Sequence, residues 1–347
     1  MLFRSLVPVL AGLSLLALSG CAGFGKEANL GREAMMGMRI TAEEAESLEQ
    51  VLGGNPQDLA ARARLLGYYF SGRRDPDHRH SEHALWFLNN HPEASDALRL
   101  YGRIEPMRDP DGYVEAKEIW LRLTEEDPTN VGFLWGAASF FTGSDTENSR
   151  RLLEQGEALE PSNPKWAREL GQVDWRRARI PLGPPDPAAV GRALEHFERA
   201  YALSTASDRG YLLENLAQAA FRAGETEKAR RYAEEALDQI PRDWNYGNRV
   251  HYGNLVLGRI ALADGDREEA AARLIAAGET PGSPQLNSFG PDMSLARDLL
   301  AAGDSATVRR YLETCGEFWR MDRGRLAQWI ALMDAGRTPD FRLQIKF

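Results

Sequence analysis

His78-Arg79-His80-Ser81-Glu82-His83 is the densest group of side chains in this sequence able to hold a metal ion. His80 and His83 are three residues apart, so on a helix both face one side, and His78 or Glu82 would supply a third ligand. Against this stand Arg73, Arg74 and Arg79, whose charges repel a cation. The segment also falls in a polar turn, where a solvated helix start accounts for the same residues. His78, His80 and His83 are therefore weak candidates, and the expected metal and cofactor content is none. A second chemical reading takes Ser288, in the loop Ser283–Pro291, as a nucleophile with His251 as its base. No nucleophile elbow or orienting acid accompanies them, and a rigid connector explains the loop better. Asp109-Pro110-Asp111-Gly112 has the flavour of a calcium loop without its ligand spacing, and reads as a turn. His-Glu-x-x-His, Cys-x-x-Cys and phosphate-cradling glycine motifs do not occur. A metal-dependent or serine hydrolase built on residues 78–83 or 283–291 is thus the alternative to a non-enzymatic protein.

The two cysteines have different readings. Arg4 precedes an apolar run, Leu6 to Leu18, which is too short for a permanent membrane span and fits the core of a signal peptide over residues 1–20. Leu18-Ser19-Gly20-Cys21 resembles the lipobox of bacterial lipoproteins. That resemblance implies cleavage before Cys21, acylation of its thiol, and anchoring through several acyl chains, each buried methylene adding ~0.8 kcal/mol. Ala22 in place of Asp resembles outer-membrane sorting, with the folded body in the periplasm. Residues 21–40, with Gly23, Gly25, Gly31 and Gly37 and no sustained periodicity, read as a tether. Cys315 reads as a small core residue, because its register matches alanines elsewhere.

The elements around these residues are helices, and they repeat. Counting from the turn glycines Gly224, Gly265 and Gly303, the positions twelve residues on are Ala236, Ala277 and Cys315. Second helices superimpose on an i, i+4, i+7 face: Ala116/Trp120/Leu123, Ser149/Leu153/Gly156, Ala193/Phe197/Ala200, Ala229/Ala233/Ala236, Ala270/Leu274/Ala277 and Val308/Leu312/Cys315. First members are 33, 44, 36, 41 and 38 residues apart, and the 44 contains a proline-rich insertion at 180–187. The expected first helices include Leu59 to Phe70, Ala94 to Ile104 and Val131 to Phe141. A terminal helix, about Arg323 to Ala335, would close the stack. No stretch shows strand alternation, so the expected class is all-α. Charge excludes one large class of partner. At −9 overall, and one unit more acidic without the leader and its Arg4, the chain lacks the basic surface that nucleic acid requires.

Leu66-Gly67, Leu170-Gly171 and Leu257-Gly258, with Pro92, Pro128, Pro161 and Pro241 at helix ends, resemble the tetratricopeptide repeat family over about Leu59 to Phe318. Leu65 to Phe70, Asn89 to Glu93, His251 to Leu257 and Ser283 to Pro291 resemble a narrower family of bacterial tetratricopeptide-like proteins whose function is uncharacterised. The resemblance implies a right-handed α-solenoid of about seven helix pairs with a terminal capping helix, spanning 41–347. It also implies a concave groove lined by first helices, holding a protein or peptide in the cell envelope, in assembly or maintenance. Projecting the register onto that groove selects Tyr211, Asn215, Gln218, Arg222, Tyr252, Leu255, Arg259, Met293 and Arg297. The junction residues Trp244, Tyr246, Asn248, His251 and Asn254 add aromatic area and directional hydrogen bonds suited to a peptide. Arg222, Arg259 and Arg297 would favour an acidic or C-terminal carboxylate partner.

Overall fold

The computed structural model describes residues 21–70, 77–178, 186–238 and 243–345. The expected signal peptide, Arg73 and Arg74, most of the proline-rich insertion, and Pro241 lie outside them. Every regular element among the described residues is helical, as the sequence requires. None of their helices is long and apolar enough to cross a membrane. The chain divides into two compact units, Met1–Ser149 and Arg150–Phe347, with the boundary inside helix α7 (Thr146–Leu159).

The second unit is built from helix pairs: α8 (Pro164–Ala178) with α9 (Pro187–Leu203), α11 (Leu213–Arg222) with α12 (Thr226–Asp238), α13 (Tyr246–Ala263) with α14 (Arg267–Gly278), and α16 (Ser294–Ala301) with α17 (Ser305–Cys315). Short helices α10 (Ala206–Arg209) and α15 (Pro284–Phe289) sit in two connections, and α18 (Arg325–Asp334) packs on α17 as the expected closing helix. Two of the pairs turn for a plain local reason. Gly265 and Gly303 take φ of 86° and 93°, a left-handed conformation that costs glycine little. The aspartates that follow cap the second helices, Asp266 accepting from the Glu269 N–H and Asp304 from the Thr307 N–H, both at 3.0 Å.

Small side chains then let the pairs close. Ala193, Ala200, Ala229, Ala233, Ala270, Ala277 and Cys315 are all fully buried. Gly171 of α8 faces the ring of Phe197 so closely that an added Cβ would lie 2.6 Å from it, which explains why glycine follows leucine there. The buried charge of Asp174 is paired. Asp174, with no exposed surface, accepts from Arg150 at 2.6 Å and Arg192 at 3.1 Å, tying α7, α8 and α9 together. Cys315 lies in the apolar core as its register predicts, and burial pushes its thiol well above the ordinary range.

The first unit contains α1 (Cys21–Gly37), α2 (Ala42–Gly54), α3 (Leu59–Tyr69), α4 (Arg79–Asn90), α5 (Pro110–Glu126), α6 (Val131–Phe141) and the start of α7. Two expectations are corrected here. Residues 21–37 form a helix, not an irregular tether, and Leu30 and Ala34 are buried where α1 meets α3. Two of its glycines serve contact and not flexibility: a Cβ on Gly31 would strike the Ala97 carbonyl, and one on Gly37 the Arg64 carbonyl. Ala94 to Ile104, expected as a helix, forms a 3-10 turn at Pro92–Ser95 followed by irregular chain. Leu98, Tyr101 and Ile104 are nevertheless buried. Side chains help to hold the segment, His80 Nε2–H donating to the Tyr101 carbonyl at 2.6 Å and the Arg103 side chain donating to the Thr142 carbonyl at 3.1 Å.

Candidate functional site

The site begins with a carboxylate beneath the start of α13. Asp243 accepts from the guanidinium of Arg249, only 2% exposed, at 3.0 Å, and from the Asn245 backbone N–H at 2.9 Å. Burial raises the Asp243 pKa, but Arg249, the Asn245 N–H and Tyr211 together hold it below the usual carboxylate range. Tyr211 in turn stacks on Trp244 with ring centroids 5.6 Å apart and planes 23° from parallel.

This stacked pair stands at one side of an open groove within the second unit. The groove is walled by Arg168 and Gln172 of α8, Glu214 and Asn215 of α11, Asn248 and Tyr252 of α13, and Gln285 and Phe289 of α15. Trp244 is 56% exposed and Phe289 69%, a large apolar exposure for two aromatics that nothing in the fold requires to be outside. The floor is an ordered amide chain. Asn248 Nδ2 donates to Asn245 Oδ1 at 2.7 Å and to Gln285 Oε1 at 3.3 Å, while Ser283 Oγ donates to Asn248 Oδ1 at 2.6 Å. Ser283 also caps α15 by accepting the Leu286 N–H. The loop Ser283–Pro291 is thus a rigid connector as expected, with a short helix inside it that presents Phe289 to the groove.

Five of the residues expected in the groove or at its junction line it: Tyr211, Asn215, Trp244, Asn248 and Tyr252. Others do not. Gln218, His251, Leu255 and Met293 are buried in the core. Met293 is covered by the C-terminal stretch, its N–H donating to the Gln344 carbonyl at 2.9 Å. Leu255 lies farther along α13, near where Leu295 of α16 packs against Gly258. The three arginines are elsewhere too. Arg222 lies over the Trp175 ring at 5.6 Å. Arg259 lies over Phe221 at 4.8 Å and 3.8 Å from Asp298, and Arg297 pairs with the same Asp298 at 2.7 Å. With Arg168 and Glu214 as the charged residues on its walls, the groove carries one charge of each sign. The register projection missed Gln172, Asn245 and Gln285, together with Phe289. A solvent-facing phenylalanine inside a connector was the one available signal.

The hydrolase candidates fall apart. His251 Nδ1–H donates to the Ala277 carbonyl at 3.0 Å and its Nε2 accepts the Asp292 N–H at 3.0 Å, so neither ring nitrogen is open to Ser288. His80 and His83 are buried, contrary to a solvated helix start, and face different partners. His80 holds Tyr101, whereas His83 meets Arg62 at 3.2 Å and Glu49 at 3.4 Å. His78 is half exposed, 3.8 Å from Asp109, which caps α5 through the Gly112 N–H. Among the described residues no group of three or more His, Cys, Asp or Glu side chains converges as a metal site would.

No family model matches the sequence, and no curated protein matches it. Among solved structures, a crystal structure of MamA is similar over 49% of this chain and 89% of its own length, at 17% identity and a TM-score of 0.39. A second crystal structure of the MamA protein covers 56% of this chain and 90% of its own, at 16% identity and a TM-score of 0.41.

Proposed function

We propose that the protein is a non-enzymatic binding scaffold, a membrane-anchored lipoprotein whose groove between α8, α11, α13 and α15 holds a protein or peptide of the cell envelope. The observation that carries the binding half of this reading is the exposed aromatic set Tyr211, Trp244 and Phe289 above an ordered amide floor. Exposed aromatics on a rigid backbone supply contact area at low entropic cost, and amides add direction. The anchoring half rests on the sequence Leu18-Ser19-Gly20-Cys21. Outer-membrane attachment and a role in envelope assembly or maintenance extend the same reading.

A photoreactive phenylalanine analogue placed at Phe289 in intact cells tests the groove. It should crosslink to a defined protein, and Trp244→Ala should abolish the crosslink, while the same analogue at Met321, exposed but outside the groove, should not crosslink to it. Equal crosslinking from both positions, or from neither, would contradict the assignment. For the anchor, Cys21→Ala should move the protein from the membrane fraction to the soluble one; retention in the membrane would refute lipidation at that thiol.

A further inference from the structure

Resting on the peptide-groove reading above, we propose that the occupant is an uncharged, proline-rich segment in the polyproline II conformation. Three features of the groove select that chemistry.

The first is the aromatic faces. A polyproline II ligand presents flat pyrrolidine rings every third residue and packs them on exposed aromatic side chains. Here the stacked Tyr211–Trp244 pair and the exposed Phe289 lie on walls contributed by different elements, with Tyr252 between them on α13. Asp243, next to Trp244 in the chain, is clamped by the buried Arg249. A prearranged aromatic platform suits a ligand that is itself stiff before it binds, since neither partner then loses much freedom.

The second is the polarity of the open hydrogen-bonding groups. A proline-rich chain has carbonyl oxygens that pair with nothing internally and few N–H groups, so its partner must supply donors. The Trp244 indole N–H lines the groove and makes no hydrogen bond with any described residue; the Gln172 and Asn215 amides beside it are likewise unengaged and can donate as well as accept. Gln285 engages only its Oε1, leaving its NH₂ to donate. An indole N–H donates only, so at Trp244 the groove can bond a carbonyl but not an N–H.

The third is charge. Arg168 and Glu214 are of opposite sign, and Arg168 is already 3.4 Å from Glu169. The arginines that would have recruited an acidic segment are committed to Asp298, Phe221 and Trp175 outside the groove. An acidic or C-terminal carboxylate ligand therefore finds no concentrated positive field here.

The test is a titration of the full chain with three fluorescein-labelled ten-residue peptides of equal length: a neutral proline-rich peptide, a neutral Ala/Ser/Gly peptide and an acidic Asp/Glu peptide. Each is followed by anisotropy at low and high salt, against the native protein, Trp244→Ala and Phe289→Ala. The proline-rich peptide should bind about tenfold or more tightly than either of the others. Its affinity should change little with salt and should fall about tenfold in each variant. If Trp244→Ala abolishes binding but the Ala/Ser/Gly or acidic peptide binds as well as the proline-rich one, the proline-rich assignment is wrong and the peptide groove stands. If no peptide shows binding that depends on Trp244 or Phe289, both the assignment and the groove reading fall.

Discussion

His251→Ala would remove one ring that satisfies two buried backbone groups, leaving the Ala277 carbonyl and the Asp292 N–H without partners. We expect a loss of roughly 2–4 kcal/mol, from two orphaned groups and a cavity, read as a lower midpoint in denaturant. Trp244→Ala, seven positions earlier and mostly exposed, should change stability by no more than about 0.5 kcal/mol. The same short stretch thus holds a residue for the fold and, on the proposed reading, one for binding. Residue type alone does not tell them apart, because histidine and tryptophan both serve either purpose. Burial decides, and it decides against a catalytic His251. His80 and His83 teach the same lesson, since a cluster that reads as metal ligands is a set of separate struts holding an irregular segment and a helix pair.

At the scale of elements, Glu49 shows how α2, α3 and α4 are joined. It accepts from Tyr69 of α3 at 3.0 Å and Arg79 of α4 at 3.1 Å, and lies 3.4 Å from His83 Nε2. The His83 contact chiefly, against the opposing effect of burial and with help from Tyr69 and Arg79, lowers its pKa to about 2, from 4.5. Because the folded value is depressed, this stabilisation is fully present above about pH 4.5 and is lost as pH falls through that window towards 2. Glu49→Gln should therefore cost on the order of 1 kcal/mol at neutral pH, discounted for partial exposure. The gap between the two melting curves should close on acidification through that window; a gap that stayed constant to pH 2 would contradict the network. Helix periodicity was legible throughout the second unit, because Ala229, Ala270 and their equivalents recur at fixed distances from a turn glycine. It failed over residues 21–37, where glycines read as flexibility but act as sites of close backbone approach. It failed again over 94–104, where buried apolar residues are present but side chains from other helices hold the backbone. Neither effect leaves a mark on the pattern of one segment read alone.

For the molecule, the proposed groove sets one part of the second unit apart from the parts that only stack. That groove was half legible. The i, i+4 pair Asn248/Tyr252 follows from helical register and Tyr211 stands in the turn just before α11, whereas Gln285 and Phe289 enter through a connector whose short helix no repeat pattern specifies. The outer helices α12, α14 and α17 bury their small faces and have no wall in the groove. Hydrogen exchange of the full chain, alone and saturated with a bound peptide or the partner crosslinked at Phe289, distinguishes these parts directly. Protection should appear at residues 211–215, 244–252 and 285–289 and be absent from α12, α14 and α17. Protection confined to those outer helices, with the three groove segments exchanging as in the free protein, would contradict the account.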